Sequence, residues 1–207
     1  MNYLITAAGL GSRFLKEGIK PPKPLIKVKG LELLLWSLQS FEFQRNDSLY
    51  IVTLKGDKVK KILLKKIKLI YPFIDINWLE LNRCLNGQLL TSLEAINFFK
   101  IKGEILIHNC DTSYNFKYEN VKDILKKDIF GIIPYFKSEG FNWSFIKIKN
   151  ELIIEVKEKE RISNNCSVGT YFFKDAKIFY NLANQYLKEL KNHSLNEFYI
   201  APFYEYA

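Results

Sequence analysis

Two glycines two residues apart, an arginine just after them and a lysine locked between prolines are the first residues whose types and spacing could do chemistry. They lie in Ala7-Ala8-Gly9-Leu10-Gly11-Ser12-Arg13 and, ten residues on, in Pro22-Lys23-Pro24. Lacking Cβ atoms, Gly9 and Gly11 let backbone N–H groups turn inward and approach an anion closely. The Arg13 guanidinium is a planar fork suited to phosphate oxygens, and the flanking prolines stiffen the segment that presents Lys23. The combination reads as a triphosphate cradle; the plainer reading is a strand-to-helix turn with surface charges. Three named phosphate loops do not fit it. A Walker loop needs four residues between its glycines and then Gly-Lys-Ser/Thr. The dinucleotide fingerprint needs a third glycine where this chain has Phe14. A kinase glycine-rich loop lacks its catalytic-loop partner downstream.

Further along, Asp111 follows the apolar run Ile105-Leu106-Ile107. A carboxylate at a strand end is a usual Mg²⁺ ligand where substrate phosphates complete the shell, and equally a turn cap. Asn86-Gly87-Gln88 opens a helical pattern; Gln88 can donate and accept, as reading a base edge requires, while Asn86 could simply cap the helix. Lys157 to Arg161, KEKER, is a charge run of the kind that usually faces water. The three cysteines show no metal-ligand spacing, so reduced thiols in a cytoplasmic protein are the economical reading.

These residues need elements to hold them. Tyr3 to Ala7 is a buried first strand that runs straight into the cradle. Leu31 to Phe41 reads as a buried helix, Leu49 to Leu54 as a strand, and Asp57 as the cap of a lysine-rich helix. In that helix Val59, Ile62, Leu63, Ile67 and Ile70 form the apolar stripe. Ile74 to Leu81 is the next strand, a helix runs from Asn86-Gly87-Gln88 to Phe99, and Glu104 to His108 is a strand ending in Asn109-Cys110-Asp111. Such alternation argues an α/β sandwich with a mostly parallel sheet and a ligand beyond the strands' carboxyl ends. The second half changes character: Phe130 to Phe136, Trp143 to Lys149, Glu151 to Lys157 and Ser167 to Phe173 read as strands, the middle two a hairpin at Asn150. A helix from Asp175 to Leu190 and an aromatic segment from Asn196 follow.

With 207 residues the chain suits one domain, residues 1–207. Its nucleotide-binding half is expected over about 1–112 and its acceptor-binding half over about 113–207. No stretch reaches the ~18 uncharged apolar residues of a membrane span, and the start has no signal-peptide pattern. Neither a membrane nor a secretory route is expected. The balance of 31 basic to 22 acidic residues, net +9, can mark a basic nucleic-acid-binding module. However, the lysines cluster on one helix face without the interleaved aromatics such binding uses, so no nucleic-acid partner is expected. Whether copies form a homo-oligomer is left open.

Ala-Ala-Gly-x-Gly-Ser-Arg-Phe at 7–14 with Pro-Lys-Pro-Leu at 22–25 resembles the signature of nucleotidyltransferases that make nucleotide sugars. More narrowly, it is similar to the bacterial sugar-phosphate nucleotidylyltransferases of capsule and other surface-polysaccharide synthesis. Residues 155–173, with Glu158-Lys159-x-x-Ile-Ser and then Val-Gly-x-Tyr-x-Phe, resemble a second family motif. The resemblance implies a single three-layer α/β sandwich and transfer of a nucleoside monophosphate from a triphosphate to a sugar phosphate, releasing pyrophosphate. It implies Mg²⁺ on Asp111 and nucleotide contacts from Ala7, Ala8, Gly9, Gly11, Ser12, Gly87 and Gln88. Arg13 would stabilise the departing pyrophosphate, Lys23 the α-phosphate and Lys159 the acceptor phosphate. Asn142, Glu158, Gly169 and Glu197 would complete the acceptor site. Family members continue into a further strand where a second metal-side carboxylate can sit; here only Glu197 or Glu205 is expected to stand in. Nucleotide binding is expected to draw on the first 111 residues alone. The alternatives are a cytidylyltransferase for a phosphorylated non-sugar alcohol and a glycosyltransferase, which would usually carry an Asp-x-Asp where this chain has Asp111-Thr112-Ser113.

Overall fold

The computed structural model describes residues 1–117, 122–190 and 197–207. Strand β1 (Asn2–Ala7) leads through the glycines into α1 (Ser12–Lys16). A 3₁₀ turn at Lys23–Leu25 precedes the small hairpin of β2 (Lys27–Val28) and β3 (Leu31–Glu32), then α2 (Leu33–Leu38). The helix expected over 31–41 therefore starts two residues late. Lys29 and Gly30, both at positive φ, turn the chain so that Leu31 and Glu32 pair with Val28 and Lys27.

Strand β4 (Ser48–Leu54), α3 (Val59–Ile70), β5 (Asp75–Leu81), α4 (Gln88–Phe99) and β6 (Ile105–Asn109) follow. Lys58 in the left-handed region, not Asp57, caps α3, because Asp57 is held in the preceding 3₁₀ turn. The buried stripe of α3 is narrower than expected, at Val59, Leu63 and Ile67. Ile62 lies off that arc and Ile70 ends the helix, and both are exposed. Likewise Gly87, not Asn86, occupies the cap of α4.

After α5 (Lys122–Leu125), the expected strand over 130–136 is two: β7 (Gly131–Ile132) and β8 (Tyr135–Lys137). Pro134 lies between them and has no N–H for a ladder. Strands β9 (Ser144–Lys149) and β10 (Leu152–Glu158) form a hairpin across Asn150 and Glu151, both at positive φ. The expected strand over 167–173 also breaks, into β11 (Asn165–Ser167) and β12 (Thr170–Phe173), at Gly169 with φ 77°. Both breaks carry the chain between the same two sheets. Helices α6 (Ala176–Glu189), capped by Asp175, and α7 (Ile200–Tyr206) complete the described chain. Asn196 and the start of its segment lie outside the described residues.

The central six-stranded sheet runs β5-β4-β1-β6-β12-β7, with β5, β4, β1 and β6 parallel and β12 antiparallel to β6. Side chains alternate across it. Leu4, Ile105 and Ile107 pack toward α4, α6 and α7, whereas Tyr3, Ile5 and Leu106 pack toward α2 and α3. Both faces are thus covered, which is why these strands read as continuous apolar runs. Each fully buried Leu or Ile contributes about 1.5–3 kcal/mol. A separate antiparallel sheet, β10-β9-β11-β8, lines one cavity through Ser144, Glu158 and Ser167 together with Arg13 and Asn109, which follow or end β1 and β6, and the chain is a mixed α/β fold with a mostly parallel central sheet.

Candidate active site

The cradle forms at the carboxyl end of β1. Gly11 sits at φ 62° and caps α1; a Cβ there would lie 3.1 Å from the Cβ of Lys23, so glycine lets the Pro-Lys-Pro segment close in. A Cβ on Gly9 would meet nothing within 4 Å, because that face opens into a cleft of about 330 Å³. Ala8, Gly9, Ser12, Lys23, Gly87 and Gln88 line this cleft. Ala7, expected among them, is buried in the core beneath.

Lys23 directs its ammonium to Asp111 Oδ2 at 2.6 Å. Burial opposes that charge, but the Asp111 carboxylate, through its charge and its hydrogen bond, helps hold the lysine pKa above its ordinary value. Cys110 itself is buried, its thiol pushed up to about 12 by that burial, which leaves it inert. All three cysteines are free.

Gln88, the first residue of α4, spends its amide protons inside the protein. Nε2 donates to Thr6 Oγ1 at 3.0 Å and to Asn109 Oδ1 at 2.8 Å. Only its Oε1 is left for a ligand, not the donor–acceptor pair expected. Gly87, at φ 106°, makes room for protein: a Cβ would lie 2.3 Å from Phe198 O. Phe198 N donates to Asn86 O and Leu89 N to Phe198 O, so the segment before α7 is stapled to the start of α4. The wall of the first cavity therefore takes in Glu197 as well as residues of the first half.

A second cavity, of about 300 Å³, adjoins the first. Arg13, Asp111, Asn142, Glu158, Gly169 and Tyr199 line it, while Lys23, Gln88, Asn109 and Glu197 line both. Arg13 makes no ion pair among the described residues. Burial pushes the Glu158 carboxyl above its ordinary range, against the Ser144 hydroxyl that donates to it and the Lys159 ammonium 3.8 Å away. The turn at Gly169 serves Asn109, since a Cβ there would lie 2.1 Å from Asn109 Nδ2.

Lys159 is not brought to this cavity. Its ammonium donates to Tyr199 OH at 2.8 Å, the main reason its pKa is raised, and it faces a neighbouring hollow behind Tyr199. Tyr199 in turn donates to Glu197. Glu205, weighed beside Glu197 as a second carboxylate, pairs with Lys157 at 3.4 Å instead.

The turn carrying Asp111 is held from below by His108, which sequence reasoning passed over. Its ring is buried, with Nδ1 2.7 Å from Thr170 Oγ1 and Nε2 3.0 Å from Thr112 O. Burial depresses its pKa to about 4, so the ring is neutral, Nε2 donating to the carbonyl and Nδ1 accepting from the threonine. Asn109, Phe198 and Tyr199 were also not singled out individually. Asn109 had one local cue, its place in the strand-end turn beside Asp111.

Among the described residues no three His, Cys, Asp or Glu side chains converge as a metal-ligating cluster. Asp111 alone suits an ion that protein holds by one or two carboxylates while phosphates complete its shell, the habit of Mg²⁺. Among the described residues no helix is long and apolar enough to cross a membrane.

No protein-family profile matches the chain, and no curated protein matches it by sequence. Solved structures do. A nucleoside-diphosphate-sugar pyrophosphorylase from Vibrio cholerae RC9 superposes with a TM-score of 0.85 at 25% identity, over 100% of this chain and 86% of that one. A UDP-glucose pyrophosphorylase complexed with UDP-glucose gives 0.75 at 18% identity, over 99% and 85%. The inositol-1-phosphate CTP transferase from T. maritima gives 0.69 at 14%, over 99% and 79%. The chain thus has the fold of a nucleotidyltransferase enzyme, and its structural neighbours include nucleoside-diphosphate-sugar pyrophosphorylases.

Proposed function

We propose that the chain transfers a nucleoside monophosphate from a triphosphate to a sugar phosphate, with Mg²⁺, releasing pyrophosphate. The observation that carries this is the pair of adjoining cavities. One has an open glycine face for the triphosphate, the other the Arg13 guanidinium with no ion pair among the described residues, and Lys23 lines both. A reaction between two anions needs neutralisation and alignment more than a covalent nucleophile. We assign Lys23 to the α-phosphate. Arg13 takes the phosphate charge in the second cavity, the role expected of Lys159. Glu158, Asn142 and Tyr199 face the rest of the acceptor. Asp111 would hold the Mg²⁺, which when bound supplies charge neutralisation and Lewis-acid polarisation of phosphate oxygens. The product would be an activated sugar of the kind consumed in capsule or lipopolysaccharide synthesis. The inositol-phosphate enzyme among the neighbours supports a second reading, in which the acceptor is a phosphorylated non-sugar alcohol. The deciding experiment incubates the protein and Mg²⁺ with each nucleoside triphosphate against a panel of sugar and polyol phosphates. Pyrophosphate release that requires both substrates supports the reading; none with any pair rejects it.

A further inference from the structure

Where two substrate cavities meet, the reacting phosphorus must lie at the junction, and a side chain common to both is in reach of it. Lys23, Gln88, Asn109 and Glu197 are those side chains. Glu197 is an anion and repels phosphate. Gln88 has given both amide protons to Thr6 and Asn109. Lys23 offers a cation, shared with Asp111. The remaining candidate is Asn109.

Its orientation is fixed by proton counting. The single hydroxyl proton of Thr6 goes to His108 O at 3.2 Å, so Thr6 Oγ1 can only accept from Gln88. That turns the Gln88 NH₂ inward, and its second proton goes to Asn109 Oδ1. Asn109 must then present Nδ2 on its other side, against Gly169, the residue type that leaves room for it. The Asn109 backbone is anchored as well: its N–H donates to Gly169 O at 3.3 Å, and its carbonyl accepts from Ser37 Oγ at 2.8 Å. Among the described residues Nδ2 has no hydrogen-bond partner, and the atom is not sealed from solvent. It is an oriented, accessible donor whose position is set before any substrate arrives.

We propose that Asn109 is a catalytic residue that donates through Nδ2 to a non-bridging oxygen of the α-phosphate. This rests on the nucleotidyl-transfer reading above. As an acceptor phosphate oxygen bonds to the α-phosphorus, the bond from phosphorus to the α,β-bridging oxygen breaks. Pyrophosphate leaves with the electron pair, and no proton has to move. Non-bridging oxygens carry the changing charge, and a donor already aimed at them stabilises the transition state without reorganisation.

The test compares unaltered protein with Asn109→Ala and Asn109→Asp, the second keeping an acceptor for Gln88. Each is assayed for steady-state turnover, triphosphate binding by calorimetry and thermal unfolding. Both variants should lose roughly 10²–10³-fold in kcat; in Asn109→Ala the triphosphate Kd should change by less than about threefold, whereas the added carboxylate of Asn109→Asp should also weaken triphosphate binding by repulsion. The two diastereomers of an α-thiotriphosphate give an independent readout. Sulfur accepts hydrogen bonds weakly, so one diastereomer should be slow with unaltered protein, and that penalty should shrink in Asn109→Ala. Turnover of Asn109→Ala within threefold of normal, or equal losses in kcat and triphosphate affinity, overturns the inference and leaves the function reading standing. An undiminished thio penalty does the same. Unaltered protein that releases no pyrophosphate overturns both.

Discussion

The Asp111 carboxylate faces a lysine in the free protein, and a substituent there tests charge rather than shape. Asp111→Asn is nearly isosteric, so unfolding should shift by about 1 kcal/mol or less, the worth of one partly exposed pair. Mg²⁺-dependent turnover should fall by roughly 10²-fold or more if that carboxylate holds the ion. Near-normal rates at ordinary Mg²⁺ remove Asp111 from the metal site. Lys159 tests a contact made through an intermediary. It reaches the second cavity through its hydrogen bond to Tyr199 and its pairing with Glu158, so Lys159→Ala and Tyr199→Phe should raise the acceptor KM by similar factors, about two- to tenfold, the worth of one hydrogen bond. The triphosphate KM should stay put. A large kcat loss in Lys159→Ala alone would return it to the acceptor phosphate.

Elements meet here through glycines that admit other backbone. Gly87 lies at φ 106°, a region side chains avoid, and any Cβ would strike Phe198. Gly87→Ala should destabilise the protein by about 1–3 kcal/mol from backbone strain alone. It should also raise the triphosphate KM by loosening Gln88, as read from urea unfolding and initial rates together. Unchanged stability and KM would mean that the 197–199 segment is not held there. The same logic explains which strand expectations failed. Apolar alternation marked residues 130–136 and 167–173 as strands. It could not show that Pro134 and Gly169 pass each from one sheet to another, because an alternating run reads alike in either sheet. Val168 N donating to Pro134 O ties the two crossings together.

At the scale of the whole molecule, acid stability should carry the imprint of one buried ring. His108 has its pKa lowered from 6.5 to about 4, chiefly by burial. The unfolded chain takes up this proton below about pH 6.5 and the native protein only near pH 4, so stability is full above that window and is lost as pH falls through it. The loss amounts to about 3 kcal/mol across the interval. Chemical unfolding at pH 7, 5.5 and 4.5 should show this slope, and His108→Gln should flatten it. An identical slope in the variant would place the acid sensitivity elsewhere.

By itself the sequence determined the parallel α/β core, the glycine cradle and the carboxylate at the end of β6, because each is written in local signals. Strands buried on both faces need unbroken apolar runs, glycines mark where backbone must stay bare, and Pro-Lys-Pro stiffens its own lysine. Only the tertiary structure decided which of these residues share a cavity. It withdrew Lys159 behind Tyr199, gave Arg13 to the second cavity, brought Glu197 to the wall of both, and turned the Gln88 amide inward to expose that of Asn109. Those outcomes depend on hydrogen bonds between residues such as Gln88 and Thr6, 82 positions apart. Such a pairing leaves no periodicity or spacing in the chain, since it is fixed by where the sheet brings the ends of its strands together.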